Sequence, residues 1–297
     1  ERMAQTIIKR TPDASLLDFS DVPEWGYTNG LVLDFMVDIY QDTGNEEYWD
    51  YIEAYYDKMI KDDGSIIRDY DIEDYNIDKI CPGKTLFEMY EKTGNKKYKK
   101  TIDLLIKQLE NHPRTAEGGL WHKKRYTHQM WLDGLYMGSP FMAEYARKVN
   151  KPEWFDFVAK QIFLAEKNTR DHETGLLYHG FDESRNQRWA DKITGHSLNF
   201  WSRAVGWYAM AIVDVLDYLP EDHYYRGEII HILQRLAKAV TKVQDEETGL
   251  WYQVLDKPNK EGNYLESSGS VMFVYSFAKG VRKGYLDEKY FAVAKKG

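Results

Sequence analysis

Cysteine is nearly absent from this chain: Cys81 is the only one in 297 residues. A single thiol excludes an intrachain disulfide framework and a cysteine-rich metal site. Long apolar runs are missing as well. None reaches the roughly 18–20 residues that span a bilayer, so no membrane partner is expected. Positive charge is in deficit, with 40 Lys and Arg against 48 Asp and Glu and a net charge of −8. That balance argues against a general nucleic-acid binder. It leaves room for a local positive pocket that takes an anion. No histidine pair has the spacing of a helical zinc motif, and there is no phosphate-binding glycine loop or Gly-x-Ser-x-Gly elbow. Neither a metal nor another cofactor is expected. The chain starts at Glu1 rather than Met, as a processed or trimmed N-terminus would.

Aromatic residues are plentiful, with 23 Tyr and 9 Trp. Most serve as core and inter-helix packing, and some can form flat floors on which sugar rings stack. The length suits one large single-core domain over 1–297.

The strongest pattern is internal repetition. Thr43-Gly44-Asn45-Glu46-Glu47-Tyr48 returns as Thr93-Gly94-Asn95-Lys96-Lys97-Tyr98. Looser copies start at Asn150, Pro220 and Leu286. Each reads as a tight helix-to-helix turn, in which Gly or Asn closes one helix and a polar first turn opens the next. A second element recurs between them: Gly119-Leu120-Trp121-His122, Gly175-Leu176-Leu177-Tyr178 and Gly249-Leu250-Trp251-Tyr252, with Asp63-Gly64-Ser65-Ile66 as a looser copy. These are short extended segments or turns in long connections. Helical periodicity covers 31–40, 48–60, 84–90, 98–109, 137–149, 154–164, 207–216, 229–243 and 271–281.

The unit is therefore helix, tight turn, helix, long loop. About eleven helices are expected, one near 2–10 and then five hairpins. Such hairpins stack into an open solenoid or close into a ring. Irregular unit length and the fixed place of the special residues favour the ring: an all-α (α/α)6 barrel, a six-hairpin toroid. The last inner helix of that toroid is missing from this chain.

Five stretches open the first helix of a hairpin: Trp25-Gly26-Tyr27-Thr28-Asn29-Gly30, 76–83 with Asp78, Trp131-Leu132-Asp133-Gly134, Trp201-Ser202-Arg203-Ala204-Val205-Gly206-Trp207 and Glu266-Ser267-Ser268-Gly269-Ser270. In a toroid these starts converge, and their free N–H groups favour a carboxylate ligand. Thr28, Asp78, Asp133, Ser267 and Ser268 can equally be ordinary N-caps. Arg203 cannot. Trp201 and Trp207 sit about 240° apart around a helix, so one can be core while the other faces a cavity. His122, Arg125 and His128 lead up to Asp133, and His179 follows the next long loop. Two carboxylates among aromatics are the equipment of glycosidic chemistry. Desolvation by Trp131 would leave one of them protonated near neutrality.

The His128–Phe141 stretch with its Trp-Leu-Asp-Gly-Leu-Tyr-Met-Gly core, Trp201–Trp207 and Tyr27-Thr28-Asn29-Gly30-Leu31 together resemble glycoside hydrolase family 105, the unsaturated rhamnogalacturonyl hydrolases, related to the unsaturated glucuronyl hydrolases of family 88. The likeness runs from Trp25 to beyond Ser270. It implies an (α/α)6 barrel that removes the unsaturated uronic acid left by polysaccharide lyases at the non-reducing end of oligosaccharides. It implies Asp133 as general acid/base and Asp78 as the second aspartate. Arg203 and Trp207 would hold the unsaturated sugar, with Thr28, His122, Arg125, His128, His179 and Trp201 around it. Val205 departs from the polar residue more usual there. The resemblance implies an oligosaccharide as partner and a monomer or weak homodimer, in the bacterial cytoplasm or periplasm. Other readings stay open: a polysaccharide lyase or sugar epimerase on the same fold, a glucuronyl hydrolase acting on ulvan or glycosaminoglycan fragments, or a non-catalytic helical scaffold.

Overall fold

The computed structural model describes residues 1–297. Eleven α-helices alternate with long loops, and strand pairing is confined to two short antiparallel pairs. The chain divides into two units: Glu1–His112 with Lys123–Arg125, and Pro113–His122 with Tyr126–Gly297.

The first unit holds α1 (Arg2–Arg10), α2 (Tyr27–Thr43), α3 (Glu46–Met59), α4 (Leu86–Thr93) and α5 (Lys96–Glu110), with a 3-10 helix at Ile77–Gly83 leading towards α4. The Thr-Gly-Asn repeat is a repeat of geometry. Gly44 and Gly94 each adopt φ +67° and return an N–H to Tyr40 and Tyr90 at 2.8 Å. Asn45 and Asn95 then cap α3 and α5 by accepting from the N–H groups of Glu47 and Lys97 at 3.1 Å. The glycine supplies the left-handed residue that ends a helix, and the asparagine the acceptor that starts the next. Trp25 and Tyr55 stack at 6.0 Å in the core. Tyr55 Oη and Tyr56 Oη donate to the Glu24 and Pro82 carbonyls, so these buried aromatics have their polar ends satisfied.

The second unit holds β1 (Gln129–Trp131), α6 (Leu132–Lys148), α7 (Glu153–Thr169), β2 (Gly180–Asp182), α8 (Ser202–Tyr218), α9 (Arg226–Thr241), β3 (Trp251–Tyr252), β4 (Leu265–Glu266), α10 (Ser267–Arg282) and α11 (Lys289–Lys296). β1 pairs with β2 and β3 with β4. α8 lies between α6 and α10, while α7, α9 and α11 pack behind their hairpin partners. Inner α6 and α8 are buried over almost their whole length. Outer α9 buries Ile229, Ile232, Leu233, Leu236, Ala237 and Val240, a single stripe at helical spacing. Lys279 ties α10 to α8 through Asp214 and Asp217, both at 2.6 Å.

The long connections contain the turns expected of them, in a more regular form than the Gly-Leu signature indicates. Asp171, Asp191 and Asp245 each accept from the N–H and the hydroxyl of the Thr three residues on. The following glycine then donates its N–H back to the Asp carbonyl. The repeat is Asp-x-x-Thr-Gly, and its copy at Asp191–Gly195 lies outside the Gly-Leu pattern.

All nine periodic stretches fall on helices. The starts of four inner helices do not match: α2, α6, α8 and α10 begin at Tyr27, Leu132, Ser202 and Ser267, four or five residues before the periodic pattern does. Their first turns carry Gly, Asp, Ser, Asn and Arg, which interrupt apolar periodicity and are mostly weak helix formers.

Candidate active site

Thr28, Asp78, Asp133, Arg203 and Ser268 occupy the same register. Thr28, Asp133, Arg203 and Ser268 are each the second residue of the first helix of their hairpin, and Asp78 is the second residue of the 3-10 helix that precedes α4, behind caps at Gly26, Trp131, Trp201, Glu266 and Asn76. This settles the capping question for those residues. Asn76 Oδ1 accepts from the Asp78 N–H at 3.1 Å, so Asn76 is the cap and Asp78 is not. Glu266 accepts from the N–H groups of Ser268 and Gly269, so neither Ser267 nor Ser268 caps α10. At α2 the Gly26 N–H donates to Asn29 Oδ1 at 3.1 Å, and Thr28 Oγ1 turns instead to Asp18 Oδ2 at 3.4 Å. Asp133 follows a tryptophan cap whose side chain accepts nothing from the first turn and instead donates its indole N–H to Gln129 Oε1 at 3.1 Å. Its carboxylate sits in the first turn, where the helix dipole favours negative charge.

In the second unit a continuous train of rings runs through Trp131, two residues before Asp133. His122 and Trp131 are nearly parallel, with centroids 4.9 Å apart, and Tyr126 lies parallel to both. The Trp131 edge meets His179 at 6.3 Å, His179 meets Trp201 at 6.0 Å, and the Arg203 guanidinium lies 4.4 Å over the Trp201 ring. The Leu132 N–H donates to the His179 carbonyl at 3.0 Å, which fixes the start of α6 against β2. Burial makes His179 a weaker base than usual, against the opposing effect of a hydrogen bond from its ring to the Asn199 backbone. The sequence candidates His122, Asp133, His179, Trp201 and Arg203 are thereby gathered on adjoining elements.

The remaining candidates separate from that train. Trp207 is 3% exposed and packs on Tyr136 at 4.8 Å, so of Trp201, the cap of α8, and Trp207 within it, Trp207 is the one set in the core. Val205 is fully buried, which places the departure from the family pattern in packing. His128 is exposed, lies against Trp121 at 4.8 Å and faces Glu183 at 3.6 Å. In the first unit Asp78 pairs with Lys123 at 2.7 Å, both largely covered. Arg125 lines a cavity of about 580 Å³ in that unit, with Asp69, Asp71, Asp74, Lys79 and Lys123.

Residues 1–297, the entire chain, match the family model described as Glycosyl Hydrolase Family 88. The chain belongs to this family. This family 88 chain resembles solved family 105 structures. It superimposes with a TM-score of 0.94 on a family 105 glycoside hydrolase from C. acetobutylicum ATCC 824, at 44% identity over 99% of this chain and 79% of that one. It is 28% identical to the unsaturated rhamnogalacturonyl hydrolase YesR of Bacillus subtilis, over 89% of this chain and 71% of that protein. It is 43% identical to protein Atu3128 of Agrobacterium fabrum over 150 residues, which are 50% of this chain and 63% of that protein. This chain therefore covers less than two thirds of the latter's length. The all-α (α/α)6 fold class read from the repeat is the fold of this family 88 member.

Three residues beside the family 88 candidates escaped the sequence reading. Lys123 had a signal, the Lys123-Lys124-Arg125 run directly after His122. Trp189, 6.1 Å from His179, had only its aromatic character, and Asp182 sets its loop by accepting from Ser184 and Gln187. Glu266 had the start of the α10 stretch, in which the serines were the more familiar caps.

Proposed function

We propose that this chain is a hydrolase of unsaturated uronides. It would remove the C4=C5-unsaturated uronic acid at the non-reducing end of lyase-generated oligosaccharides, with galacturonyl-rhamnose as the favoured linkage. The observation that carries this reading is the placement of Asp133. It stands in the first turn of α6, two residues after Trp131, the cap that stacks on His122 and meets His179 edge-on, in a chain that matches the family throughout. The name of the Bacillus subtilis relative supports the rhamnose linkage.

The substrate is an enol ether conjugated to a carboxylate. Asp133 in its acid form delivers a proton to C4. The ring oxygen stabilises the cation left at C5, and Asp133, now a base, activates water onto C5. The resulting hemiketal opens to a C5 ketone and a C1 hemiacetal, which expels the aglycone as an alcohol. Arg203 takes the substrate carboxylate beside the first turn of α8, and Trp201 and His179 form walls against the ring. Asp78 and Thr28, with Arg125, carry over from the family resemblance as residues orienting sugar hydroxyls. His122, His128 and Trp207 support the loops and helices that carry these groups.

The test is a panel of lyase-generated disaccharides followed in the ultraviolet. A hydrolase of this type removes the enol-ether absorbance, whereas a lyase on the same fold creates it. Loss of absorbance fastest on unsaturated galacturonyl-rhamnose supports the proposal. Fastest loss on unsaturated glucuronides from ulvan or glycosaminoglycan moves the specificity, and a gain of absorbance on polymer overturns the reaction.

A further inference from the structure

α8 and α10 meet at their first turns. A Cβ on Gly269 would lie 2.7 Å from Ser202 Oγ and 2.9 Å from the Ser202 carbonyl carbon, so only glycine permits this approach. Glu266 fills the seam. Its Oε1 accepts from Ser268 N–H at 3.0 Å and Ser268 Oγ at 2.6 Å. Its Oε2 accepts from Gly269 N–H at 2.6 Å and Ser202 Oγ at 3.3 Å. Ser202 directly precedes Arg203 on α8, and Glu266 is 7% exposed. Among the three inner helices of this unit, α6 and α8 have tryptophan caps whose side chains make no capping hydrogen bond, and α10 alone has a carboxylate cap.

Burial pushes the Glu266 carboxyl up, but the hydrogen bonds from Ser268 and Gly269 and the positive charge of Arg203 outweigh it and hold it below the ordinary range. By accepting from Ser202 Oγ at 3.3 Å, Glu266 sets a carboxylate against the residue next in the chain to Arg203, the cation proposed to receive the substrate's carboxylate. An N-cap requires only an acceptor, and Ser, Asn or Asp is the usual choice. A longer glutamate that also reaches across to the neighbouring helix does more than cap.

We propose that Glu266 is a positioning residue for Arg203, a resident counter-charge that seats α8 against α10 and weakens the hold of Arg203 on a bound uronate. The inference rests on the assignment of Arg203 to the substrate carboxylate. The consequence is faster release of the acidic product at some loss of affinity. Like-charge repulsion between Glu266 and the ligand carboxylate carries the effect.

The experiment measures calorimetric binding of galacturonate, with uncharged galactose as control, together with inhibition of disaccharide turnover by galacturonate. Glu266→Gln keeps an acceptor for the first turn of α10 and removes the charge. It is expected to tighten galacturonate about three- to tenfold and leave galactose unchanged. Glu266→Asp retains the charge and is expected to bind galacturonate as the parent does, which separates charge from shape should the glutamine variant be unstable. In an Arg203→Met background, Glu266→Gln no longer tightens galacturonate. Unchanged or weaker galacturonate binding in Glu266→Gln, with Arg203→Met still impaired, overturns the role of Glu266. If Arg203→Met itself binds galacturonate normally, the assignment of Arg203 fails instead.

Discussion

The imidazole of His122 lies parallel to the indole of Trp131, with centroids 4.9 Å apart and planes 10° apart. Trp131 is the cap of α6, so this pair fixes the backbone from which Asp133 projects. His122 is 4% exposed, and its removal leaves a gap beneath the indole. His122→Ala is expected to lower unfolding free energy by about 2–3 kcal/mol. It should also lower kcat through the loosened cap. His122→Phe restores the ring pairing and most of the stability. Urea titration together with absorbance-loss kinetics checks both variants; an alanine variant as stable as the parent would discard the idea that this pair anchors α6.

Asp133 separates chemistry from stability. As a first-turn carboxylate it contributes about 0.3–1 kcal/mol to α6 through the helix dipole. As proton donor and base it supplies about 10²–10⁴-fold in rate. Asp133→Asn should therefore reduce kcat by at least about a hundredfold with galacturonate binding and melting temperature nearly unmoved. A variant that retains most of its turnover sinks the assignment. A variant that loses turnover only because it unfolds shows that the residue is structural.

His179 gives stability a direction with pH. Its folded-state basicity lies below the ordinary value of 6.5 because the ring is buried. From about pH 6.5 downward the unfolded chain accepts a proton that the folded site resists. The stability held above that point is lost as pH falls towards the folded value. His179→Gln removes the titration. The difference in unfolding free energy between parent and variant should be flat above about pH 7.5 and should move against the parent as pH falls below about 6.5. Curves that stay parallel across this window would mean that His179 titrates normally.

The tight turns make a prediction about additivity. Gly44 and Gly94 share φ +67° with open space around them, so alanine there meets backbone strain and no clash. Each Gly→Ala change is expected to cost about 1 kcal/mol. The double variant should cost the sum, since the two turns close separate hairpins. A marked shortfall in the thermal unfolding of the double variant would show that the hairpins do not form independently.

Those turns also show where the sequence was legible. Thr-Gly-Asn writes a helix end, a left-handed residue and a cap in consecutive letters, and the structure repeats them bond for bond. The outer helices were legible for a related reason: one buried stripe leaves a clean 3.6-residue period. Inner α6 and α8 are buried on nearly every face, so periodicity fades and their starts were misplaced. Asp133 stands out in the sequence because Trp-Leu-Asp-Gly is an unusual string, but its distance from the cap does not. A cap is defined by backbone angle, and an extended Trp131 or Trp201 leaves no mark in composition. Glu266 was hidden by two serines that are better-known caps, and Trp189 by a loop whose shape depends on the buried carboxylate of Asp182.

Arg203 offers the sharpest division between charge and geometry. Its guanidinium lies 4.4 Å over the Trp201 ring, in the first turn of α8. A lysine there keeps the positive charge but has no planar face to stack and no fork to grip a carboxylate with two parallel bonds. Arg203→Lys is therefore expected to raise KM about tenfold while kcat falls less than about threefold. Arg203→Met, without the charge, should raise KM further. Steady-state rates from absorbance loss on unsaturated galacturonyl-rhamnose decide the matter. If kcat falls steeply in the lysine variant while KM stays where it was, the guanidinium acts on the transition state, and carboxylate capture must be assigned to another group.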